Sequence, residues 1–327
     1  MPTLELSAAE SKSAAAGPAE TMAAPGPRAA VAPVDRWGAL AALSAYLWWG
    51  FVPIYFRAVR SASAYELLAH RVVWSCLGLW LMIAIFRRGR DFVALFRDRR
   101  TLLTLIASAS LIAANWLLYI YAVVSKNVLL GSLAYFINPL ISVLLGMVIL
   151  GERLRRMAQW AAIGLAFVGV VMFAAAVGKP PYLSLALAIT FGLYGLLRKV
   201  VRADALLGLT VETTLLFPAS LAYFGYLFTT SERAFAMGNT QMDILLLLAG
   251  PVTTIPLLFF AAGARRVSLT TLGLMQYLSP SIQFLVGLAF GESLKPLQWA
   301  GFAAIWAGLA LFSIDAIRAR RVERGNR

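Results

Sequence analysis

Long apolar stretches separated by short polar segments occupy most of the chain after residue 36. Each stretch is close to the ~20 residues that an α-helix needs to cross the hydrocarbon core of a membrane. The stretches do not alternate apolar and polar positions, as the strands of a membrane β-barrel would. The pattern therefore predicts ten transmembrane helices, over residues 37–56, 65–86, 101–124, 128–150, 157–177, 181–197, 207–228, 243–262, 267–290 and 297–317.

The two ends of the chain differ from this pattern. Residues 1–36 are rich in alanine and proline, carry mixed charges and contain no apolar run. A signal peptide would need a charged start followed by a continuous apolar core, so we predict a disordered cytoplasmic tail. Residues 318–327 are rich in arginine and are predicted to form a second, basic cytoplasmic tail.

Composition narrows the function classes further. Hydrophobic residues make up 61% of the chain and charged residues 13%, against about 25% charged residues in a typical soluble domain. These values exclude a soluble globular enzyme, a disordered chain and a nucleic-acid-binding domain. The single Cys76 and the single His70 exclude a disulfide framework and a metal site built from several cysteines or histidines. We therefore predict neither a metal nor a cofactor.

The distribution of positive charge predicts the orientation of the spans. With the N-terminus placed in the cytoplasm, 22 of the 29 lysines and arginines fall in cytoplasmic segments and only 6 in outer segments. Cytoplasmic loops of membrane proteins carry such an excess, so both termini are predicted to be cytoplasmic. The net charge of +14 is then a consequence of topology and does not indicate a nucleic-acid partner.

Two stretches 141 residues apart resemble each other. Residues 135–139 (Tyr-Phe-Ile-Asn-Pro) and 276–280 (Gln-Tyr-Leu-Ser-Pro) are each followed by an apolar run, a Gly-Glu pair and a Gln-Trp pair. The repeating unit contains five spans, an odd number, so the second copy must cross the membrane in the opposite sense. We predict an all-α membrane protein of two inverted five-helix repeats, residues 37–177 and 178–317, an arrangement typical of secondary transporters.

The Gly-Glu pairs at 151–152 and 291–292 are interpreted as structural. Glycine suits the left-handed conformation that ends many helices. The glutamate that follows is predicted to face the positive N-terminus of the next helix along the chain.

Short motifs along the spans resemble a known family. Residues 43–50 (Leu-Ser-Ala-Tyr-Leu-Trp-Trp-Gly) are similar to the first helix of EamA-type transporters, in the drug/metabolite transporter superfamily. Residues 66–71, 114–116, 135–140 and 191–199 resemble more narrowly its RarD branch, whose members are named as chloramphenicol-sensitive permeases. The resemblance covers about residues 37–317. It implies a bacterial inner-membrane permease with ten helices in two inverted EamA repeats.

The prolines of the repeated motif mark a candidate substrate site. A proline inside a helix frees the carbonyl four residues earlier, and free backbone groups at membrane depth need protein or a water-filled cavity around them. Polar side chains of spans three, four and nine lie near these positions. The alternative is a pair of packing kinks whose polar groups bond between helices. The candidate substrate-pathway residues are Asn115, Tyr135, Asn138, Pro139, Gln276, Pro280 and Gln283.

Ionisable residues inside spans are candidates for coupling or gating, because they are costly in a membrane. Glu66 and His70 are four residues apart on one helix face, and Arg71 follows them. A histidine beside a carboxylate could exchange a proton at physiological pH; alternatively, the group lies at headgroup level with Arg71 reaching towards the interface. Glu212 occupies the inverted position of Glu66. It could serve in coupling, or it could stabilise a gate by pairing with Arg198, Lys199 or Arg202.

These observations predict a secondary transporter that moves a small organic metabolite or drug-like amphiphile across the bilayer by alternating access. The sequence contains no G-x-x-x-x-G-K-[ST] motif for ATP binding. One alternative is a non-transporting membrane subunit or sensor that binds a lipid or a partner protein. An intramembrane enzyme is a weaker alternative, because one histidine and one cysteine leave few catalytic combinations. Proton or ion coupling is open, as is the oligomeric state.

Overall fold

Helices joined by short loops make up the computed structural model, which describes residues 35–125, 128–154, 156–230, 233–291 and 295–325. The predicted N-terminal tail therefore lies outside the described residues up to residue 34. The helices of the described ranges are α1 (Arg36–Ala58), α2 (Ala64–Ile85), α3 (Gly89–Leu95), α4 (Arg99–Val124), α5 (Val128–Ile149), α6 (Met157–Val177), α7 (Tyr182–Val200), α8 (Ala205–Thr229), α9 (Thr240–Leu247), α10 (Ala249–Ala264), α11 (Leu269–Gln276), α12 (Leu278–Ala289) and α13 (Pro296–Gly325).

The prediction of ten spans is confirmed. Within the described part of the chain, ten helical stretches are long and apolar enough to cross a membrane. Their ends differ from the predicted ends by at most three residues. The eighth span comprises α9 and α10, and the ninth comprises α11 and α12. The last helix continues to Gly325 and therefore includes most of the predicted basic C-terminal tail.

Three local features were not predicted. The short helix α3 lies between the second and third spans, and the eighth and ninth spans are each interrupted, at Leu248 and at Tyr277.

The prolines of the repeated motif differ in their surroundings. Pro139 lies inside α5, which runs through it without interruption. Pro280 instead lies in the first turn of α12, where a proline breaks no helical hydrogen bond. Both motif prolines lie near the centres of their spans, as the sequence predicts, but Pro139 is inside a continuous helix and Pro280 is near a helix start.

Helices of the first half of the chain pack mainly on helices of the second half. The principal contacts join α1 to α10 and α12, α4 and α5 to α7, α2 to α8, α5 to α11, and α6 to α13. The helices α1 and α10 belong to the first and eighth spans, and α7 and α4 belong to the sixth and third. Replacing each span with the span five places away therefore turns the α1–α10 contact into the α7–α4 contact. This is the neighbour pattern that an inverted five-helix repeat produces, with the halves interleaved. The repeat and its division between residues 177 and 178 stay predictions.

The α6–α13 pair shows why small residues are needed where these helices meet. A Cβ atom added to Gly169 would lie 2.5 Å from the carbonyl oxygen of Gly301, and one added to Gly301 would lie 2.9 Å from that of Gly169. Small residues allow backbones to approach closely in membrane bundles, where packing drives helix association. The fifth and tenth spans thus form a tight pair, and neither contributes to the cavity described below.

Candidate substrate cavity

A cavity of about 620 Å³ lies between helices of the two halves. Its walls come from α1, α2, α4 and α5 of the first half and from α7, α10, α11 and α12 of the second. This volume lies within the roughly 300–1,000 Å³ of typical small-molecule sites. On α1 the lining residues run from Tyr46, in the middle of the helix, to Arg57 in its last turn.

The cavity extends from mid-bundle towards one end only. We call the end where α1 finishes and α2 begins the open end, and the opposite end, where α1 begins, the closed end. Phe290, directly after α12, lines the cavity at the open end, as does Arg57. Among the described residues, the cavity wall contains none from the helix termini at the closed end.

Five of the seven predicted substrate-pathway residues line this cavity. They are Asn115, Tyr135, Asn138, Gln276 and Gln283. Pro139 and Pro280 do not line it, although each directly follows a residue that does, Asn138 or Ser279.

Asn138 and Gln276 present side-chain amides from opposite halves of the molecule. They are only 4% and 5% exposed. The Oδ1 atom of Asn138 has no hydrogen-bond partner, and the Gln276 amide forms no hydrogen bond with another described residue. A buried polar atom left unpaired costs roughly 1–3 kcal/mol. These amides are therefore suited to bonding with a polar group that enters the cavity.

Asn115 and Gln283, in contrast, use their amide donors to join helices. Asn115 Nδ2 donates to the carbonyl oxygen of Leu187 at 2.8 Å and to Thr190 Oγ1 at 3.0 Å, which links α4 to α7. Gln283 Nε2 donates to the carbonyl oxygen of Trp49 at 3.1 Å, which links α12 to α1. These two residues position the walls of the cavity.

Arg71, predicted as a coupling or gating residue, lies in the cavity wall. Its Nε atom donates to Thr253 Oγ1 at 2.9 Å, across to α10. Its guanidinium carbon lies 4.9 Å from the ring centroid of Trp116, within the distance of a cation–π interaction. Arg71 forms no ion pair with any acidic residue of the described chain.

Aromatic residues supply much of the remaining wall. Trp49 of α1 and Phe191 of α7 have ring centroids 5.8 Å apart, and Trp116 and Tyr119 line the α4 side. On α4, the residues lining the cavity follow the spacing of one helix face, which includes Asn115. That spacing is visible in the sequence, but it does not show which face meets the cavity.

Glu66 and His70 lie outside the cavity wall and do not bond to each other. The Glu66 carboxylate accepts hydrogen bonds from the backbone N–H groups of Ala234 at 2.8 Å and Phe235 at 3.0 Å. His70 Nδ1 accepts one from Trp74 Nε1 at 2.8 Å, which requires that this nitrogen carry no proton. Their role as a proton-responsive pair therefore stays a prediction that these contacts do not favour.

Glu212 is buried near the closed end in a cluster that joins α4, α7 and α8. It accepts hydrogen bonds from Ser108 Oγ at 2.6 Å, Arg198 Nη1 at 3.2 Å and Tyr194 at 3.4 Å. Of the three cations proposed as partners, the structure selects Arg198. None of the four residues of this cluster lines the cavity.

Hydrogen bonds between the two halves hold the closed end together. The Glu152 carboxylate accepts from the backbone N–H groups of Leu269 at 2.6 Å and Thr270 at 2.8 Å, at the start of α11. The sequence predicted that Glu152 faces the N-terminus of a helix, and it does. The helix is α11 of the second half, however, and not α6, which is the next helix along the chain. The corresponding Glu292 lies outside the described residues. Within the second half, Lys199 of α7 donates to the carbonyl of Val267, which lies just before α11.

Charged residues in the loops add to these contacts at the closed end. Arg88 pairs with both Asp91 and Asp204, and these two carboxylates raise the pKa of its guanidinium above the usual value. The pair with Asp204 joins the second-to-third-span loop to the start of α8. Asp35, which caps α1, lies 3.8 Å from Arg266.

Sequence comparisons identify the family. The sequence profile of the EamA-like transporter family matches residues 36–175. An uncharacterized transporter of Vibrio cholerae serotype O1 is 43% identical over 88% of this chain and 95% of its own length. The chain belongs to the EamA-like transporter family. The RarD protein of Escherichia coli K12 is 41% identical over 88% of this chain and 97% of its own length.

The family assignment confirms the resemblance that the motifs suggested, and with it a transporter that spans the membrane several times. A solved crystal structure has the same fold, with a TM-score of 0.63 and 18% identity over 85% of this chain and 98% of its own length. For this EamA family member, the cavity between the halves is therefore the candidate route of a transported substrate.

Proposed function

We propose that the chain is a secondary transporter that carries a small organic amphiphile across the bacterial inner membrane by alternating access. The observation that carries this proposal is a cavity that reaches from mid-bundle to the open end while hydrogen bonds from Leu269 and Thr270 to Glu152 join the two halves at the closed end. Such an arrangement corresponds to one of the two states that alternating access requires. Membership of a transporter family favours transport over a sensor or an enzyme.

The crossing of α5 and α11 is where the two states would interconvert. A Cβ atom added to Gly273 of α11 would lie 2.8 Å from the carbonyl oxygen of Pro139 and 2.8 Å from Ser142 Cβ, both in α5. The helices that carry the two repeated motifs, α5 and α11, thus pack closely against each other beside the motifs. Movement of α11 away from Glu152 would open the closed end, and the helices that now surround the open end would have to converge.

Charge supports an orientation for this state. The closed end carries the basic loops, including Arg88, Arg156 and Arg266, that the positive-inside rule places in the cytoplasm. The cavity would then open to the outside of the cell. Both termini would be cytoplasmic, as the sequence predicts.

The contact between Glu152 and α11 offers a test that needs no known substrate. Glu152→Gln keeps the shape of the side chain but removes a charge at a helix N-terminus, a change worth about 1–2 kcal/mol in a partly buried position. That loss shifts a two-state equilibrium roughly 5- to 30-fold. We expect the closed end to open more often and the open end correspondingly less often.

Two cysteine variants report on the two ends, in a background where Cys76→Ala removes the native thiol. Ser132→Cys lies in the cavity wall and Thr270→Cys at the sealed start of α11. With a membrane-impermeant thiol reagent in proteoliposomes, Glu152→Gln should raise labelling at position 270 from the closed-end side and lower labelling at position 132 from the open-end side.

Asp98→Asn is the matched control. Asp98 also accepts backbone N–H groups at a helix start near the closed end, those of Arg100 and Thr101, but it joins no helix of the other half. It should leave labelling at both positions unchanged. Labelling that changes in the same direction at both ends after Glu152→Gln would contradict alternating access, because it would indicate general loosening of the bundle.

A further inference from the structure

We infer that the substrate of this cavity carries an anionic group, such as a carboxylate, that binds to the guanidinium of Arg71. The inference rests on the proposed function, because it names the chemical class of substrate for the same cavity. It follows from three features of the cavity: the geometry of Arg71, the balance of charge in the wall, and the aromatic side chains that line the rest of the wall.

Arg71 is oriented by protein contacts that leave its terminal nitrogens unbonded. The bond from Nε to Thr253 Oγ1 and the position over Trp116 fix the plane of the guanidinium. Neither terminal nitrogen forms a hydrogen bond with another described residue. A planar guanidinium presents parallel N–H donors that match the two oxygens of a carboxylate.

The cavity wall has positive charge and no negative charge within the described part of the chain. Arg57 and Arg71 line it, whereas no aspartate or glutamate does. Glu66 precedes Arg71 by five residues on the same helix but does not pair with it. Its carboxylate accepts hydrogen bonds from the backbone N–H groups of residues 234 and 235. A cation within a membrane span is costly and is usually paired. An anionic substrate would supply the counter-ion that the protein does not.

The remaining surface indicates what the anionic group is attached to. Trp49, Phe191 and Trp116 provide aromatic faces on the α1, α7 and α4 sides. The unpaired amides of Asn138 and Gln276 can bond to one or two polar substituents. These walls fit an apolar or aromatic monocarboxylate. They do not fit an organic cation, which would face an uncompensated arginine.

Arg57 at the mouth acts before binding. Its side chain is exposed at the open end and its guanidinium carbon lies 4.2 Å from the ring centroid of Phe290. A single sign of charge along a cavity raises the local concentration of the opposite ion and its rate of entry. Because Arg57 is solvated, its effect on affinity should be much smaller than that of Arg71.

Matched compounds separate charge from shape. The probes are phenylacetate, 1-naphthylacetate and indole-3-acetate, each with its primary amide and the corresponding arylethylamine, measured by calorimetry on the purified full-length protein. On at least one ring system we expect the carboxylate to bind about tenfold or more tightly than its amide, because one charge-assisted pair distinguishes them. The amine should not bind detectably. Chloramphenicol, which is neutral, should bind no more tightly than the amides.

Three variants assign the preference to Arg71. Arg71→Gln should abolish the advantage of the carboxylate while amide affinity changes little. Arg71→Lys keeps the charge but loses the planar fork, so it should retain part of the advantage. Arg60→Gln is the control, because Arg60 is exposed near the same end of the bundle and does not line the cavity. It should change equilibrium affinity by less than about threefold, since an exposed charge is screened.

The inference is overturned if no carboxylate binds more tightly than its amide, and also if none of the probes binds. It is overturned as well if the carboxylate keeps its advantage over the amide in Arg71→Gln. The wild-type panel decides this even if Arg71→Gln does not fold. Ser132→Trp, which fills the cavity, separates the two proposals. If neutral probes bind and Ser132→Trp prevents it, the cavity stands and only the anionic class fails. If binding survives Ser132→Trp, the cavity is not the site and both proposals fail.

Discussion

The buried ion pair at the closed end allows a quantitative test of the packing there. Arg198 is fully buried, Glu212 is 1% exposed, and Arg198 Nη1 lies 3.2 Å from Glu212 Oε1. A Cβ atom on Gly208 would lie 2.1 Å from Arg198 Nη1, so the guanidinium occupies space that only glycine leaves free. Replacing Arg198 with methionine removes the cation and leaves Glu212 buried without its counter-charge.

Removing one partner of a buried pair typically costs about 3–5 kcal/mol, because the other charge stays buried without compensation. Replacing both partners with apolar residues of similar volume is often close to neutral. We therefore expect Arg198→Met to lower the free energy of unfolding by about 3–5 kcal/mol. The double variant Arg198→Met/Glu212→Leu should recover most of that loss.

The free energy of unfolding can be measured by denaturant titration in mixed micelles, followed by tryptophan fluorescence. The control is Arg88→Met, which breaks the partly exposed pair with Asp204 at the same end and should cost less than about 1 kcal/mol. The reasoning is refuted if Arg198→Met costs no more than this control. It is also refuted if the double variant is no more stable than Arg198→Met, since the cost would then not come from an unpaired charge.

Three further predictions concern the cavity, the proton hypothesis and the topology. Asn138→Ala and Gln276→Ala should each weaken substrate binding at near-normal folded yield, because each removes an unpaired amide from the cavity wall; normal binding in both, measured by calorimetry, would place the site elsewhere. If His70 couples transport to protons, His70→Gln should flatten the pH profile of transport between about pH 5 and 8; an unchanged profile in a variant that still transports rejects this role. Reporter fusions after Arg60 and Arg233 should read as external, and a cytoplasmic reading at either position would contradict the ten-span orientation.

The candidate site was only partly visible in the sequence. The paired motifs led to Asn138 and Gln276, which do line the cavity, because polar groups beside a proline in an apolar span are conspicuous. Arg71 was noticed as an intramembrane charge but was grouped with Glu66 and His70, its neighbours along α2. The structure separates them: Arg71 faces the cavity, and Glu66 bonds to residues more than 160 positions away.

The sequence by itself determined the number, the length and the order of the spans. Bilayer thickness imposes a length on every apolar helix, so this information is local and can be read from each stretch independently. The family motifs were equally local. The interruptions at Leu248 and Tyr277 were missed, since they create no polar break in the apolar runs.

Only the tertiary structure decided which face of each helix meets which neighbour. In a soluble bundle, the alternation of apolar and polar faces would indicate this. In a membrane, the faces towards lipid and towards other helices are both apolar, and association depends on close packing and hydrogen bonds. That is why Glu152 could be recognised as a partner for a helix N-terminus, yet its partner, the start of α11 at Leu269, became known only once the halves were packed together.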